Sequence, residues 1–300
     1  MNSALAFSDM LLSEVADSLS VVEALIMGIV QGLTEYLPVS SSGHLALYQH
    51  FFGTQHKENL TFVVLLHAAT ALSSIIYFRK HIWEILKGLL ELKWNDSWRF
   101  AVQIAISAIP VVIIGLFFED QVDQFFSDEN ITLLNWRMNT IVIVGACLIF
   151  TAILLLLTRI IKSNEKEIGM GQALIIGIAQ AIAVLPGISR SGATIATALL
   201  LGIDKAKAAR FSFLMVIVPI LGKTILDLKD LLFPDSATTN TGETLSALAL
   251  MIGFLTAFGV GLLACYLMYN LVKKGGVYWF SFYCFAIGTI TILAGLGAFS

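Results

Sequence analysis

One short stretch gathers a carboxylate, three consecutive hydroxyls and an imidazole: Gln31, Glu35, Ser40, Ser41, Ser42 and His44, punctuated by Pro38 and Gly43. A second stretch has the same grammar, with Pro186 and Gly187 followed by Ser189, Arg190, Ser191, Gly192 and Thr194. A shift of 149 positions lays Gln31 on Gln180, Gly28 on Gly177, Ser40 on Ser189, Ser42 on Ser191 and Gly43 on Gly192. Hydroxyls, a guanidinium, a carboxylate and an imidazole at helix N-termini suit a phosphate or a pyrophosphate. Arg and free backbone N–H groups grip the anionic oxygens, and preorganised donors stabilise charge as it builds up. Phosphoryl transfer asks for little beyond this positioning and a neutralising cation.

Each residue also has a plainer reading. Gln31 and Glu35 are four apart, hence on one helix face, where Glu35 serves an interhelical hydrogen bond or is partly protonated if it has no chemical role. Ser42 and Ser191 are candidate helix caps, which is compatible with binding an anion. Arg190 is the most telling residue, since an arginine at an intramembrane turn costs about 2.5–3.5 kcal/mol even on lenient insertion scales. Something anionic must meet it, either a ligand or Glu35. His44 lies one turn beyond the hydroxyls and can act as nucleophile, proton donor or hydrogen-bond partner. His67, inside an apolar span, reads as structural, and Lys223 near a span end can snorkel. Cys147, Cys265 and Cys284 show no metal-ligand spacing and read as buried small side chains.

The elements that must position these groups belong to a membrane protein. Hydrophobic residues make up 57% of the 300 and charged residues 13%, which is not the balance of a soluble domain. Six stretches are long and apolar enough to span, at about 60–78, 100–118, 140–161, 211–228, 245–271 and 277–299. The stretches at 22–37 and 171–185 are too short or too interrupted, and each ends at a proline followed by a second apolar run. Both are expected to be re-entrant helical hairpins, whose irregular tips are tolerable only inside protein or along a wet cavity. The first twenty residues hold Asp9, Glu14 and Asp17 but no Lys or Arg, unlike a signal peptide, and suggest an acidic segment at the membrane surface.

Lys and Arg set the orientation. Arg79, Lys80, Lys87, Lys93 and Arg99 mark a cytoplasmic linker, while residues 1–56 contain neither type. The other basic clusters fall on the same cytoplasmic side only if both hairpins return to the face they entered. The first hairpin then opens outward and the second inward. The expected fold is an all-α polytopic membrane protein, one domain over 1–300, with six transmembrane helices and two re-entrant hairpins. It forms an inverted-topology repeat of 21–161 (hairpin 22–56) and 171–299 (hairpin 171–203). This plan is familiar from transporters, so a secondary transporter or lipid flippase is the rival reading.

The Gln31-x-x-x-Glu35 and Pro-Val-Ser-Ser-Ser-Gly-His44 segment, together with Pro186-Gly-Ile-Ser-Arg190-Ser-Gly-Ala-Thr194, resembles the two signature motifs of the bacterial undecaprenyl-diphosphatase (bacitracin-resistance) family. The resemblance extends over nearly the whole chain, including Arg210-Phe-Ser-Phe-Leu. It implies hydrolysis of undecaprenyl pyrophosphate to the monophosphate and inorganic phosphate, recycling the lipid carrier for peptidoglycan synthesis and conferring bacitracin resistance. It also implies Mg2+ or Ca2+, and a bacterial inner-membrane location with the N-terminus and active site facing the periplasm. By position, the catalytic residues it implies are Glu35, Ser41, His44 and Arg190. Gln31, Ser40, Ser42, Ser189, Ser191 and Thr194 are the expected phosphate-binding residues. Many family members have Glu where this chain has Gln31, so Glu35 is the sole motif carboxylate for a metal, which would complete its shell with phosphate, amide and water oxygens. The expected partners are undecaprenyl pyrophosphate, membrane lipid and a second copy of the chain; no nucleic acid is expected. Acid-phosphatase-like lipid phosphatases share Ser-Gly-His and Ser-Arg elements, but their Lys-x6-Arg-Pro and His-x3-Asp partners have no match here.

Overall fold

A computed structural model describes residues 20–52, 60–118, 121–122, 130–133, 136–160, 166–232 and 246–298. The first nineteen residues and the side chain of Lys223 lie outside the described residues, as do the acidic positions 119, 120, 123, 128 and 129. The described helices are α1 (Val21–Thr34), α2 (Ser41–Phe52), α3 (Leu60–Tyr77), α4 (Arg79–Leu90), α5 (Asp96–Phe117), α6 (Thr140–Leu157), α7 (Met170–Ile182), α8 (Arg190–Leu200), α9 (Lys205–Met215), α10 (Ile217–Leu232), α11 (Ala247–Lys274) and α12 (Trp279–Gly295). The protein is a multi-pass membrane protein. Helices α5, α6, α11 and the joined α9–α10 are long and apolar enough to cross a bilayer, and α3 with α4 makes a fifth if that bent pair is one span. Large apolar side chains such as Ile109, Leu116, Phe150, Ile153, Leu255 and Leu263 stand exposed, the surface that lipid covers and water does not.

Several spans differ from their expected shape. The first turns by 72° at Phe78 into α4, a helix with an apolar and a charged face. The fourth begins earlier, at Lys205, and breaks at Val216. Pro219 explains the break, because its nitrogen cannot donate to the carbonyl one turn back. The last is the 17-residue α12, shorter than expected. The chain is also not purely helical: Asn130–Leu133 (β1) pairs antiparallel with Trp136–Asn139 (β2), from Asn130 opposite Asn139 to Leu133 opposite Trp136.

Two pairs of short helices carry the two motifs, α1 with α2 and α7 with α8. Helix α1 starts in a capping box, with Ser20 Oγ accepting from Glu23 N (3.1 Å) and Glu23 Oε2 from Ser20 N (2.9 Å). It leaves helical geometry after Thr34, in the run that ends at Pro38. Helix α7 ends after Ile182, and Pro186 and Gly187, the latter at φ +95°, turn the chain into α8. Each first helix of a pair packs through a glycine. A Cβ on Gly28 would stand 2.8 Å from the Gly253 carbonyl of α11, and one on Gly177 would stand 2.3 Å from the Ser107 carbonyl of α5. Such approach needs the small residues that membrane helices place at interfaces. Helices α6 and α12 meet reciprocally, Gly145 facing the Gly288 carbonyl and Gly288 that of Gly145. Phe78, Ile176, Ile195, Phe211, Phe213 and Met268 close the core around the second pair.

Candidate active site

The turns between the paired helices lie against one another. Ser191 Oγ donates to the Leu37 carbonyl at 3.1 Å. A Cβ on Gly43 would meet Gly187 Cα at 3.3 Å, and one on Gly192 would meet Pro38 Cβ at 3.3 Å. Pro38 and Gly187 are equivalent under the 149-residue shift, as are Gly43 and Gly192, so these two contacts are one contact made twice.

Glu35 is the hub. Its side chain is only 6% exposed. Oε2 accepts from Gln31 Nε2 (3.1 Å) and from Ser41 Oγ (3.2 Å), while Oε1 lies 3.8 Å from Arg190 Nη1 of the other tip. The structural partnership of Arg190 with Glu35 therefore exists, but as an ion pair too long for a hydrogen bond. No acceptor among the described residues takes a hydrogen bond from the guanidinium, which is 34% exposed. Its forked N–H donors stay available for planar recognition of phosphate oxygens.

The serines divide their work in a way that corrects the expected capping pattern. Ser40, not Ser42, caps α2 and accepts from Gly43 N at 3.2 Å. Ser189, not Ser191, caps α8 and accepts from Gly192 N at 3.1 Å. Both cap residues are buried, and Ser42 and Ser191 lie within 3.3 Å of them, hydroxyl to hydroxyl. Thr194 is buried and returns its hydroxyl to Arg190 O, its own preceding turn. The tips thus bring together Gln31, Glu35, Ser41 and Arg190, while Ser40, Ser189 and Thr194 serve the helix starts. The caps leave the backbone N–H groups of Ser41, Ser42, Arg190 and Ser191 without an acceptor among the described residues. Two positive helix ends therefore lie at the contact between the tips.

Several tip supports escaped the sequence reading. The buried Tyr36 hydroxyl donates to the Thr70 carbonyl and lies 2.6 Å from Ser73 Oγ and 2.9 Å from Ser74 Oγ, tying the first tip to α3. Thr151 of α6 donates to Gly187 O (3.2 Å) and accepts from Ser189 N (3.1 Å). Cys284 of α12 donates its thiol to Pro38 O at 3.3 Å, the matching carbonyl of the other tip. His44 Nδ1 lies 2.8 Å from Ser40 O, and its Nε2 lies 2.7 Å from the Tyr283 hydroxyl. A polar residue inside an apolar span flags Thr151 in advance; no local signal flags Tyr283. His67 fulfils the structural reading through its Nδ1 and Val63 O at 3.0 Å.

The donor set suits a hard cation only in part. Gln31 Oε1 is a buried oxygen with no hydrogen-bond partner, beside the Glu35 carboxylate. Among the described residues no group of three or more His, Cys, Asp or Glu converges. The protein can therefore offer a carboxylate and an amide oxygen, and substrate phosphate and water must supply the rest.

The family described as "Bacitracin resistance protein BacA" matches residues 24–290. A protein of Bacteroides thetaiotaomicron named undecaprenyl-diphosphatase is 47% identical over 279 residues, covering 93% of this chain and all of that protein. One of Christiangramia forsetii with the same name is 46% identical over 92% of this chain and 98% of its own length. The match reaches Desulforapulum autotrophicum, whose undecaprenyl-diphosphatase is 38% identical over 92% of this chain.

Proposed function

The chain belongs to the bacitracin resistance protein BacA family, and from that premise we propose that its facing tips are the centre at which it cleaves pyrophosphate. It is an undecaprenyl-diphosphatase, a membrane hydrolase that regenerates the carrier lipid of peptidoglycan synthesis and protects against bacitracin. The observation that carries the site assignment is the hub itself: one buried carboxylate holds a serine hydroxyl of its own tip and faces an unsaturated arginine of the other.

The architecture we infer is the inverted repeat of 21–161 and 171–299, with α1–α2 and α7–α8 re-entering from opposite faces of the inner membrane. The paired contacts of Gly43 with Gly187 and of Gly192 with Pro38, which the 149-residue shift interchanges, support it. So do lengths: α1 and α7 measure about 21 and 20 Å at about 1.5 Å per residue, each short of an approximately 30 Å core. Together they exceed it, so tips entering from opposite sides meet inside. The positive-inside pattern puts the mouth of the first hairpin and the N-terminus on the periplasmic side.

In this reading the isoprenoid tail stays in lipid while the pyrophosphate reaches the tips. Arg190 and the free N–H groups of Ser41, Ser42, Arg190 and Ser191 bind its oxygens. Ser41 Oγ attacks the terminal phosphorus as Glu35 takes the hydroxyl proton, within the reach expected of a nucleophile and its base. The anhydride P–O bond breaks and undecaprenyl phosphate leaves. Water then cleaves the phosphoserine, releasing inorganic phosphate and restoring Ser41. Gln31 Oε1 and Glu35 would hold the divalent cation, Mg2+ or Ca2+, which neutralises phosphate charge when bound.

Rapid-quench reaction of the purified protein with substrate labelled at the terminal phosphate tests this. Label on Ser41 that forms and decays at the turnover rate supports it. Solvent 18O entering phosphate in a single step, with no labelled protein, would overturn the serine route. A transporter would instead move lipid across vesicles without releasing phosphate, and neither the family nor its named relatives favour that reading.

A further inference from the structure

The reaction just described leaves one polar pair unused. His44 stands on the first turn of α2, yet its ring points to α12, where Nε2 is 2.7 Å from the Tyr283 hydroxyl. Nδ1 lies 2.8 Å from the Ser40 carbonyl, which also accepts the His44 backbone N–H at 3.2 Å. A carbonyl oxygen only accepts, so Nδ1 carries the ring proton. In the neutral ring Nε2 then holds a lone pair in the imidazole plane. The two rings are parallel to within 2° with centroids 5.7 Å apart, and Nε2 has the Tyr283 hydroxyl within hydrogen-bond distance, at 2.7 Å. The hydroxyl of Tyr283 is therefore the donor. Directly beside it, Cys284 donates to Pro38 O, so two consecutive residues of α12 grip the same tip.

We propose that Tyr283 is a positioning residue of the hydrolytic reaction, holding His44 with both ring nitrogens engaged so that the imidazole braces the Ser40 turn instead of attacking phosphorus. Ser40 is the joint that matters. It is a non-glycine residue in the left-handed region, φ +69°, a conformation that persists only where surroundings enforce it. Its side chain caps α2, and its carbonyl is the one His44 holds. Ser41 and its hydrogen bond to Glu35 come next in the chain. Tyr283 thus acts on Ser41 through His44 and Ser40. The imidazole's engaged nitrogens leave the nucleophilic role to Ser41. This inference rests on reading the tips as the pyrophosphate site.

The test uses the full-length protein in detergent or nanodiscs, comparing wild type with Tyr283→Phe, His44→Ala and the double variant. Phe keeps the ring and removes only the donor, so the fold is preserved, and thermal melting verifies it. Loss of one positioning hydrogen bond corresponds to a fall in kcat on the order of tenfold, with KM unchanged. Tyr283→Phe should add nothing in the His44→Ala background. The 15N resonances of labelled His44 should report a protonated Nδ1 and a hydrogen-bonded, unprotonated Nε2, with the Nε2 signal moving in Tyr283→Phe. Unchanged kcat and unmoved His44 resonances in Tyr283→Phe, additive losses in the double variant, or a phosphohistidine trapped at His44 would each overturn the inference. Failure of the underlying reading looks different: Glu35→Gln and Arg190→Ala would keep full activity. A silent Tyr283→Phe beside two inactive tip variants would remove this inference alone.

Discussion

The seating of the second tip makes the sharpest structural prediction, because one helix carries both a test glycine and its control. In α7, Gly177 faces the α5 backbone, and an added Cβ would lie 2.3 Å from Ser107 O, 2.8 Å from its Cα and 2.9 Å from its carbonyl carbon. All three are main-chain atoms, so no side chain can turn aside, and the helices must part by about 1 Å to restore ordinary contact in a close-packed interior. Overpacking of this kind costs about 1–3 kcal/mol, or roughly 2–5 °C in melting temperature for a chain of this length. Gly171, in the first turn of the same helix, has nothing within 4 Å of an added Cβ. Alanine there should leave stability unchanged or raise it slightly, by up to about 1 kcal/mol from helix propensity. The displaced α7 carries Ser189 and Arg190 with it, and a misplacement of about 1 Å at a reacting centre can lower turnover about a hundredfold. Thermal melting of detergent-solubilised protein and phosphate release, measured on both variants, provide the assay. If Gly177→Ala melts and turns over like Gly171→Ala, the helix contact that fixes the second tip has been misassigned.

Other substitutions separate roles that neighbouring residues divide. Ser189→Ala removes a helix cap and should lower stability by about 0.5–2 kcal/mol, seen as a lower melting temperature with little change in KM; a raised KM at unchanged stability would mean that Ser189 contacts phosphate directly. Tyr36→Phe removes a buried hydroxyl bonded to α3 and should destabilise by about 1–3 kcal/mol without changing which substrates are cleaved, readable from melting and a substrate panel. Chelation by EDTA should abolish phosphate release, and added Mg2+ or Ca2+ should restore it. Gln31→Glu should lower the cation concentration needed for half-maximal rate by adding a second carboxylate, so an unchanged requirement would remove Gln31 from the cation site.

The costliest residues were the most legible. Glu35 and Arg190 stand out in an apolar sequence because charge at membrane depth needs a partner, and they are found 3.8 Å apart although the chain separates them widely. The 149-residue shift likewise anticipated two equivalent tips, and the contacts of Gly43 and Gly192 respect it. What stayed hidden depends on backbone detail or on distant packing. The sequence points to Ser42 as the cap, whereas the left-handed turn at Ser40 and its hydrogen bond from Gly43 N put the cap two residues earlier. The 72° bend at Phe78 falls where the apolar run gives way to Arg79 and Lys80, and hydropathy alone does not register it. Tyr283 meets His44 across most of the sequence, from inside an ordinary apolar helix, and nothing in its local pattern announces the contact.

The central claim is that one divided site, half on each tip, cleaves the pyrophosphate. Its most direct measurement is inorganic phosphate released from undecaprenyl pyrophosphate by purified protein, for wild type, Glu35→Gln, Arg190→Ala and an equimolar mixture of the two variants. Steady turnover by wild type, with loss of about a hundredfold or more in each variant at wild-type melting temperature, is the predicted result. Activity surviving both substitutions in the folded protein would contradict it.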